Sequence, residues 1–452
     1  MALQGLTVNS RGQLLLNGAR FRNIGMNWPG AILPLTQPAL PSITYTSGAD
    51  QDAVIAALVA MKCKVVRVKI CAYWPASWTN SLQGGLAWNA GGAAAARDSY
   101  YSTRLDPLVA KCRAAGIGII FNFFFRIANV PDLVGDNNRQ WLAASNTRTY
   151  ATTLTNEIVT RYLTEEAVYG WEFSNELNNY SNAPDARMGN WPGDSTTNGA
   201  STGAAASYSA ANTVWNRDEL ANVMAWWYGV VRAIDSQRIV LTGNGPCTYN
   251  KEDGTQGIPA TLRDMHREQV RDNQTNCGSA HNYGGINSGS RGQRGVGPWL
   301  VGVRCEQQTA GRGFVLGEFG NQPWAITSGS GTGSTVTLGF ATAIPLDAGD
   351  DFVVTGAGAY NGSYTAATVS ANGLTVTADG TATGAISAGT VQHMTPRKLA
   401  RILEEVIAAD VDLAMVWQIG LESSIPVFES LLDPLNSGQI PVIAAANTRL
   451  GW

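Results

Sequence analysis

Apolar positions along the chain recur in two patterns that alternate, one with the spacing of a helix and one with that of a buried strand. Eight strand-like runs are each separated from the next by a segment of helical length. These runs are the one ending near Trp28, 65–71, 117–125, the one ending at Glu176, 238–242, 278–283, the one ending at Glu318, and 412–419. Strict alternation predicts a parallel sheet, and eight repeats favour a closed (β/α)8 TIM barrel over an open doubly wound sheet.

The intervening segments supply the helices that this fold needs. The predicted helices are 50–61, 104–115, 148–164, 217–234, 259–271, 300–309 and 396–409. Ahead of the first strand, Asn17-Gly18 is the signal of a tight hairpin turn. The chain therefore begins with a short hairpin and continues into the barrel.

One stretch breaks the alternation. Residues 327–392 are dominated by Gly, Ser, Thr and Ala, and no Lys or Arg lies between Arg312 and Arg397. Runs that alternate between apolar and polar residues, such as Thr335–Leu338, are typical of half-exposed strands. We expect a small all-β module at 326–393, inserted into the loop after the seventh strand of a catalytic barrel formed by 1–325 and 394–452. A disordered linker is the alternative, but the stretch carries enough Val, Ile and Phe for a small core.

Two of the strand-like runs end at a glutamate. Trp171–Ser174 leads to Asn175-Glu176, and Phe314–Gly317 leads to Glu318. A carboxylate at the end of a buried strand is costly unless the strand ends at a cleft. Cleavage of a glycosidic bond requires one carboxylic acid and one carboxylate, which two such residues on one barrel face would supply. Taken singly, Glu176 also fits a helix start after an Asn N-cap, and Glu318 an ordinary strand-end acid.

Composition excludes several other classes of function. The net charge is −3 and charged residues make up 14% of the chain, so no basic field favours nucleic acid or an anionic membrane. No apolar run is long enough for a membrane span, and the N-terminus lacks the pattern of a signal peptide. Localisation and oligomeric state stay open.

Metal and cofactor signals are also missing from the sequence. Three His and six Cys without paired spacing predict no metal site, and neither a phosphate-binding loop nor a dinucleotide fingerprint is present. We therefore expect no cofactor. The Cys residues lie mostly in apolar runs and are interpreted as buried thiols, with disulfides left open.

With these residues in place, the sequence resembles the retaining glycoside hydrolases of clan A, most closely the cellulase/endo-mannanase family 5. Asn175-Glu176 resembles the acid/base motif of that clan, and Glu318 resembles its nucleophile. The resemblance implies supporting roles for four further positions and for Asn175, which would bond the sugar 2-hydroxyl. These positions are Arg67 near the nucleophile, His281 and Tyr283 in a His-x-Tyr motif with the Tyr hydroxyl directed at the nucleophile, and Trp417 under the scissile sugar.

One position departs from the family pattern. The third strand carries Phe124 where the family has a histidine that helps to bind the sugar beside the cleaved bond. Each supporting residue also has an ordinary explanation, since Arg67 could form a structural ion pair and His281 or Trp417 could lie in the core. Their joint placement at strand ends is what favours a catalytic site.

Aromatic residues near the predicted catalytic face suggest how a sugar chain would bind. Trp28, Trp74 and Trp324 are predicted to line the cleft, because the apolar face of a pyranose ring stacks on indole. The expected partner is thus a polysaccharide or oligosaccharide, with neither nucleic acid nor membrane involved.

The sequence accordingly predicts a retaining endo-β-glycosidase in which Glu176 is the acid/base and Glu318 the nucleophile. A transglycosylase would share every one of these residues. A carbohydrate-binding or virion structural protein on the same fold would not need both glutamates. The identity of the polymer stays open.

Overall fold

The chain folds around an eight-stranded parallel barrel, as the alternating pattern predicts. The computed structural model describes residues 5–28, 31–32, 48–70, 98, 100–124, 127, 129–136, 138–176, 217–245, 249–250, 256–257, 275–282, 297–320, 324–341, 344, 346–392, 395–417, 419 and 437–452. Barrel strands one to eight are Asn23–Asn27, Val65–Lys69, Gly118–Phe124, Val168–Ser174, Ile239–Leu241, Cys277–Asn282, Gly313–Gly320 and Leu413–Trp417. They neighbour one another in sequence order, and strand eight pairs with strand one, so the sheet is closed.

The helices lie between the strands and cover the outside of the barrel. Within the described residues the α-helices are Gly48–Ala60, Asp106–Ala114, Asn129–Val134, Asn146–Arg161, Arg217–Arg232, Gly297–Thr309, Pro396–Ala408 and Ile440–Arg449. A π-helical turn, Tyr101–Leu105, precedes the second, and 3-10 turns occupy Asn138–Leu142, Gly358–Tyr360 and Ser437–Gln439. The predicted helix at 259–271 lies outside the described residues. None of the described helices is long and apolar enough to cross a membrane.

Two of the described helices begin with the expected capping residue. The hydroxyl of Ser145 accepts from the backbone N–H of Arg148 at 3.1 Å, and Thr395 caps the helix that begins at Pro396 in the same way. The short helix at 129–134 and the C-terminal helix were not predicted from the sequence. Asn447 of the C-terminal helix is buried and bonds Ile24 of strand one, which ties this helix to the barrel.

The barrel interior is apolar at one end and polar at the other. The N-terminal end is filled by side chains such as Val65, Ile120 and Leu413, and the N-terminal hairpin adds Leu6 and Leu14 to the same cluster. The hairpin sheet consists of Leu6–Val8, Leu14–Leu16 and Ala19–Arg20. One layer further along the strands, the inward positions change to charged and amide side chains. Burial of polar groups is costly, so this layer indicates a functional end.

The segment after strand seven forms an all-β module, as predicted. Its seven antiparallel strands are Trp324–Thr332, Thr335–Phe340, Asp351–Thr355, Gly362–Val369, Thr375–Asp379, Thr383–Ile386 and Thr390–Gln392. Pairing of the first two strands closes the sheet on itself, and the module has its own hydrophobic core. A two-stranded sheet of Tyr249–Asn250 and Gln256–Gly257 follows strand five. The exact boundary of the module, 326–393, stays a proposal, and its first strand already begins at Trp324.

Ion pairs join the module to the barrel. Asp350 of the module accepts from Nζ of Lys398 at 3.1 Å and from Arg401 at 3.3 Å, both on the helix that follows the module. Lys398 and Asp350 are both buried. Burial lowers the pKa of Lys398, and the charge of Asp350 opposes this effect.

Loss of Asp350 is expected to weaken this junction. In Asp350→Ala the ammonium of Lys398 would be left buried without its carboxylate, which typically costs about 3 kcal/mol. Chemical denaturation would measure the loss, and Asp350→Ala combined with Lys398→Met should recover most of it. A free energy of unfolding unchanged in Asp350→Ala would show that the pair does not stabilise the junction.

The cysteines of the described residues are free thiols. Cys63, Cys112 and Cys277 are buried, as expected, whereas Cys305 is exposed on its helix. The expectation of burial was thus wrong for Cys305, which lies between Arg304 and Glu306 on the solvent side of its helix. Cys71 and Cys247 lie outside the described residues.

Candidate active site

Five of the predicted site residues converge at the C-terminal ends of the barrel strands. Arg67 lies on strand two, Asn175 and Glu176 directly after strand four, His281 on strand six and Glu318 on strand seven. All five residues are buried. The parallel barrel brings them together because the carboxyl ends of all strands meet at one mouth.

The guanidinium of Arg67 is the centre of the polar layer. Its Nη1 donates to Glu318 Oε1 at 2.5 Å and to Asn27 Oδ1 at 3.0 Å, and its Nη2 donates to Asn175 Oδ1 at 2.8 Å. The Nε donates to Glu172. Burial alone would lower the pKa of Arg67, but the charges of Glu172 and Glu318 outweigh it and raise the pKa. One cation therefore orients two carboxylates and two amides.

The two glutamates face each other across the imidazole of His281. Nδ1 of His281 lies 3.0 Å from Glu176 Oε1 and 3.3 Å from Glu318 Oε2. An oxygen of Glu176, an oxygen of Glu318 and a nitrogen of His281 all lie within 4.8 Å of one another. Retaining glycosidases hold their carboxyl groups about 5–5.5 Å apart, whereas inverting enzymes hold them about 6.5–9.5 Å apart.

The backbone at Glu176 explains how this side chain reaches the centre. Glu176 adopts a left-handed conformation with φ of 53°, and its N–H donates to the carbonyl of Gly243 at 2.6 Å. A helix start after an N-cap would need a right-handed φ, so the helix-start explanation of Glu176 does not fit. Gly243 permits this approach, since a Cβ there would lie 1.6 Å from the carbonyl oxygen of Ser174.

A bulge places Glu318 opposite His281. The pairing of strands six and seven shifts between Ala280 and His281, so that His281 pairs with Glu318 and Gly317 is the extra residue. The carbonyl of Gly317 accepts from Asn27 at 2.9 Å. Bulges commonly re-aim a side chain next to an active site, and here the shift turns Glu318 into the mouth of the barrel.

The imidazole of His281 is neutral at physiological pH. Burial lowers the pKa of His281 from 6.5 to about 4, although the charge of Glu318 opposes the shift and that of Arg67 reinforces it. A neutral imidazole carries one N–H, and the two carboxylate oxygens near Nδ1 are acceptors for it.

A depressed histidine pKa makes stability depend on pH. Between pH 6.5 and about 4 the unfolded chain binds a proton at position 281 that the folded chain excludes, so stability falls as pH falls through this window. The contribution amounts to roughly 3 kcal/mol. We expect urea unfolding of His281→Gln to show a smaller loss of stability between pH 6.5 and 4 than the unchanged protein. Equal slopes for both proteins would contradict a buried neutral histidine.

The same three side chains would also provide ligands of the type that bind a transition metal. Two carboxylates and one imidazole lie close enough to share an ion. However, Oε1 of Glu318 already accepts from the cation of Arg67, and Nδ1 of His281 lies at hydrogen-bonding distance from both carboxylates. The donor set fits a hydrogen-bonded acid pair better than a metal centre.

The aromatic residues predicted to line the cleft have different positions. Trp417 ends strand eight and is partly exposed, and Trp324 begins the module and is also partly exposed. Trp28 is fully buried in the outer core, so its indole offers no surface for stacking in this structure. Tyr283 and Trp74 lie outside the described residues.

Phe124, the position that departs from the family pattern, does not lie in the mouth of the barrel. Its ring is fully buried against Trp141 at 5.3 Å and Phe173 at 5.6 Å, in an aromatic cluster behind strands three and four. The polar inward residue of strand three is Asn122, which donates to Glu172 at 2.8 Å. The packing of Phe124 therefore leaves the polar layer intact.

Sequence reasoning missed three residues of the polar layer, namely Asn27, Asn122 and Glu172. Glu172 was not singled out from the sequence. Side chains at every second position of a strand share one face, so Glu172 should point inward together with Ser174 and Glu176. That alternation was the available signal. Nothing in the local sequence of Asn27 or Asn122 marks either residue, because each owes its place to neighbouring strands.

Comparison with known proteins identifies the fold. The sequence matches no protein-family profile and no curated protein. Among solved structures, it resembles an endo-1,4-beta-mannanase from Rhizomucor miehei (TM-score 0.56, 12% identity, 98% of this chain and 99% of that one). It also resembles an endo-beta-1,4-mannanase from Thermotoga petrophila (TM-score 0.54, 12% identity, 96% of this chain and 77% of that one). A third similar structure is an exo-beta-1,4-mannosidase from Opitutaceae bacterium strain TAV5 (TM-score 0.50, 13% identity, 98% of this chain and 62% of that one). At these identities the likeness concerns the fold alone, which is the TIM barrel that these glycosidases share.

Proposed function

We propose that the chain is a retaining glycoside hydrolase that cleaves β-linked polysaccharide at internal bonds. The observation that carries this proposal is the pair of buried carboxylates, Glu176 and Glu318, with oxygens within 4.8 Å at the C-terminal mouth of the barrel. This spacing supports direct displacement at the anomeric carbon, as in a retaining enzyme.

In the first step a carboxylate oxygen of Glu318 attacks the anomeric carbon. The bond to the leaving oxygen breaks, and Glu176 gives that oxygen its proton, so a covalent glycosyl-enzyme and a shortened chain result. In the second step Glu176, now a carboxylate, takes a proton from water. The water oxygen attacks the anomeric carbon, and Glu318 leaves with its electron pair, which restores the original configuration.

The surrounding side chains support these roles. The cation of Arg67 beside Oε1 favours the anionic form of Glu318 and fixes its orientation. The neutral imidazole of His281 orients Glu176 through Nδ1. Asn175 uses its amide oxygen to accept from Arg67, so the amide nitrogen is the group that would meet the sugar 2-hydroxyl. Trp417 and Trp324 would provide stacking surfaces.

A polysaccharide panel tests the proposal. The assay would follow new reducing ends, beginning with β-1,4-mannan because the compared glycosidases act on that linkage, and continuing with glucan, xylan and bacterial exopolysaccharides. Proton NMR of the first products should show the β-anomer before mutarotation, and mass spectrometry with excess sugar acceptor would detect transfer products. First products with the α-anomer would overturn the retaining mechanism, and absence of cleavage across the panel would favour a binding or structural protein.

A further inference from the structure

Two polar atoms below the candidate acid/base are buried and have no hydrogen-bond partner among the described residues. They are Nε2 of His281 and Oγ of Ser279, two positions earlier on the same inward face of strand six. Both residues have only about 1% of their surface exposed. Buried polar atoms in native proteins are nearly always hydrogen-bonded, so a pair of them side by side calls for an explanation.

Gly317 creates the space that these two atoms share. A Cβ on Gly317 would lie 2.5 Å from Ser279 Oγ and 3.0 Å from His281 Nε2. Gly317 is the bulged residue that also brings Glu318 opposite His281. Any side chain at position 317 would collide with both atoms, so the glycine is what allows the serine hydroxyl and the imidazole to lie side by side.

The charges around the imidazole fix which nitrogen carries its proton. Nδ1 faces one oxygen of Glu176 and one of Glu318, so a proton on Nδ1 has two acceptors. With the proton on Nε2, the lone pair of Nδ1 would repel both oxygens unless Glu176 donated its own proton to it. That arrangement would occupy the acid proton that the leaving oxygen needs.

Hydrogen-bond counting at Ser279 favours the same arrangement. If Nε2–H donated to the serine oxygen, the serine O–H would need another acceptor, and none is present among the described residues. If the serine O–H donates to Nε2, the hydroxyl hydrogen and the hydrogen on Nδ1 both have acceptors. Only the lone pairs of the serine oxygen then lack a partner.

We propose that Ser279 is a positioning residue of this site, whose hydroxyl donates to Nε2 of His281, directly or through one water, and keeps the imidazole proton on Nδ1 between Glu176 and Glu318. This inference rests on the proposed function for its catalytic consequence, but its structural content does not. Ser279 acts through His281 and does not touch the reacting atoms.

Nitrogen NMR of the intact chain, labelled with ¹⁵N-histidine, tests the proposal without any substrate. The chain has three histidines, and the variants His266→Gln and His393→Gln assign the remaining resonance to His281. We expect a protonated Nδ1 and an unprotonated, hydrogen-bonded Nε2. Ser279→Ala should move the Nε2 resonance toward that of a nitrogen without a hydrogen bond, and Ser279→Thr should restore it.

A matched control comes from strand four. Ser174 is also fully buried with an unpartnered hydroxyl, and Ser174→Ala should leave the His281 resonances in place.

On a polysaccharide that the protein cleaves, Ser279→Ala should lower kcat about tenfold with KM nearly unchanged, as for the loss of one hydrogen bond.

Two results would overturn the role of Ser279. One is a protonated Nε2 in the unchanged protein, and the other is an Nε2 resonance that Ser279→Ala does not move. Both results are measured by NMR without substrate, so they can be obtained whether or not the protein hydrolyses a polysaccharide. A failure of this inference is therefore distinguishable from a failure of the proposed function.

Discussion

Glu318→Ala is expected to lower kcat on β-linked polysaccharide by at least about 10⁴-fold, which is the scale of losses when an enzyme loses its nucleophile. The variant lacks the oxygen that forms the covalent intermediate, while Glu176 and the barrel stay in place. Reducing-end assays at saturating substrate would measure the loss. The matched control is Glu166→Ala, which removes an exposed carboxylate at the opposite end of strand four.

Azide can identify the role of each carboxylate separately. In Glu318→Ala, azide would enter the space of the missing carboxylate and give a glycosyl azide of inverted configuration. In Glu176→Ala, with an activated aryl glycoside, azide would attack the glycosyl-enzyme and give the retained configuration. Opposite product configurations would support the assigned roles, and full hydrolytic activity of Glu318→Ala would refute the proposed mechanism.

Arg67→Met is expected to have the second largest effect, and it should reduce both stability and kcat. The substitution removes the buried cation shared by Glu172 and Glu318, so two carboxylates would remain buried without compensation. Breaking such a buried ion pair costs about 3–5 kcal/mol. Chemical denaturation and the kinetics of the surviving folded fraction would measure the two losses separately.

A double variant distinguishes the two roles of Arg67. Glu172→Gln combined with Arg67→Met removes one of the uncompensated charges, so part of the lost stability should return while kcat stays low. Arg238 provides the control, because it forms an equally buried ion pair with Asp235 at the N-terminal side of the barrel. Arg238→Met should reduce stability with little effect on kcat of the folded protein. Recovery of kcat in the double variant would contradict a direct role of Arg67 at Glu318.

Particular residues show why so much of the fold could be predicted from the sequence. Barrel strands are buried on both faces, so they appear as continuous apolar runs, and Glu318 interrupts such a run two residues before its strand ends at Gly320. The module was visible because alternation at 335–340 places Val336, Leu338 and Phe340 inside and threonines outside. Boundaries agreed within a few residues because glycines and capping residues such as Ser145 interrupt the pattern.

Other features depend on contacts that no local pattern records. From the sequence, the side chain of Phe124 could lie in the cleft or on the outer side of strand three. It lies on the outer side because its ring packs against Trp141 and Phe173. The burial of Trp28 was missed for the same reason, because a tryptophan next to a predicted loop was interpreted as a stacking surface for a sugar ring. The exposure of Cys305 depends on which side of its helix meets the barrel.

The sequence by itself determined the alternation of strands and helices, the module and the two glutamates at strand ends, because hydrophobic periodicity and isolated charges are local properties. Only the tertiary structure decided that Asn27, Asn122 and Glu172 join Arg67 in the layer around those glutamates, and that a bulge at Gly317 sets the spacing of the pair. Closure of the sheet brings together residues that lie far apart in the chain. Distances between them follow from register and side-chain packing, which no single segment contains.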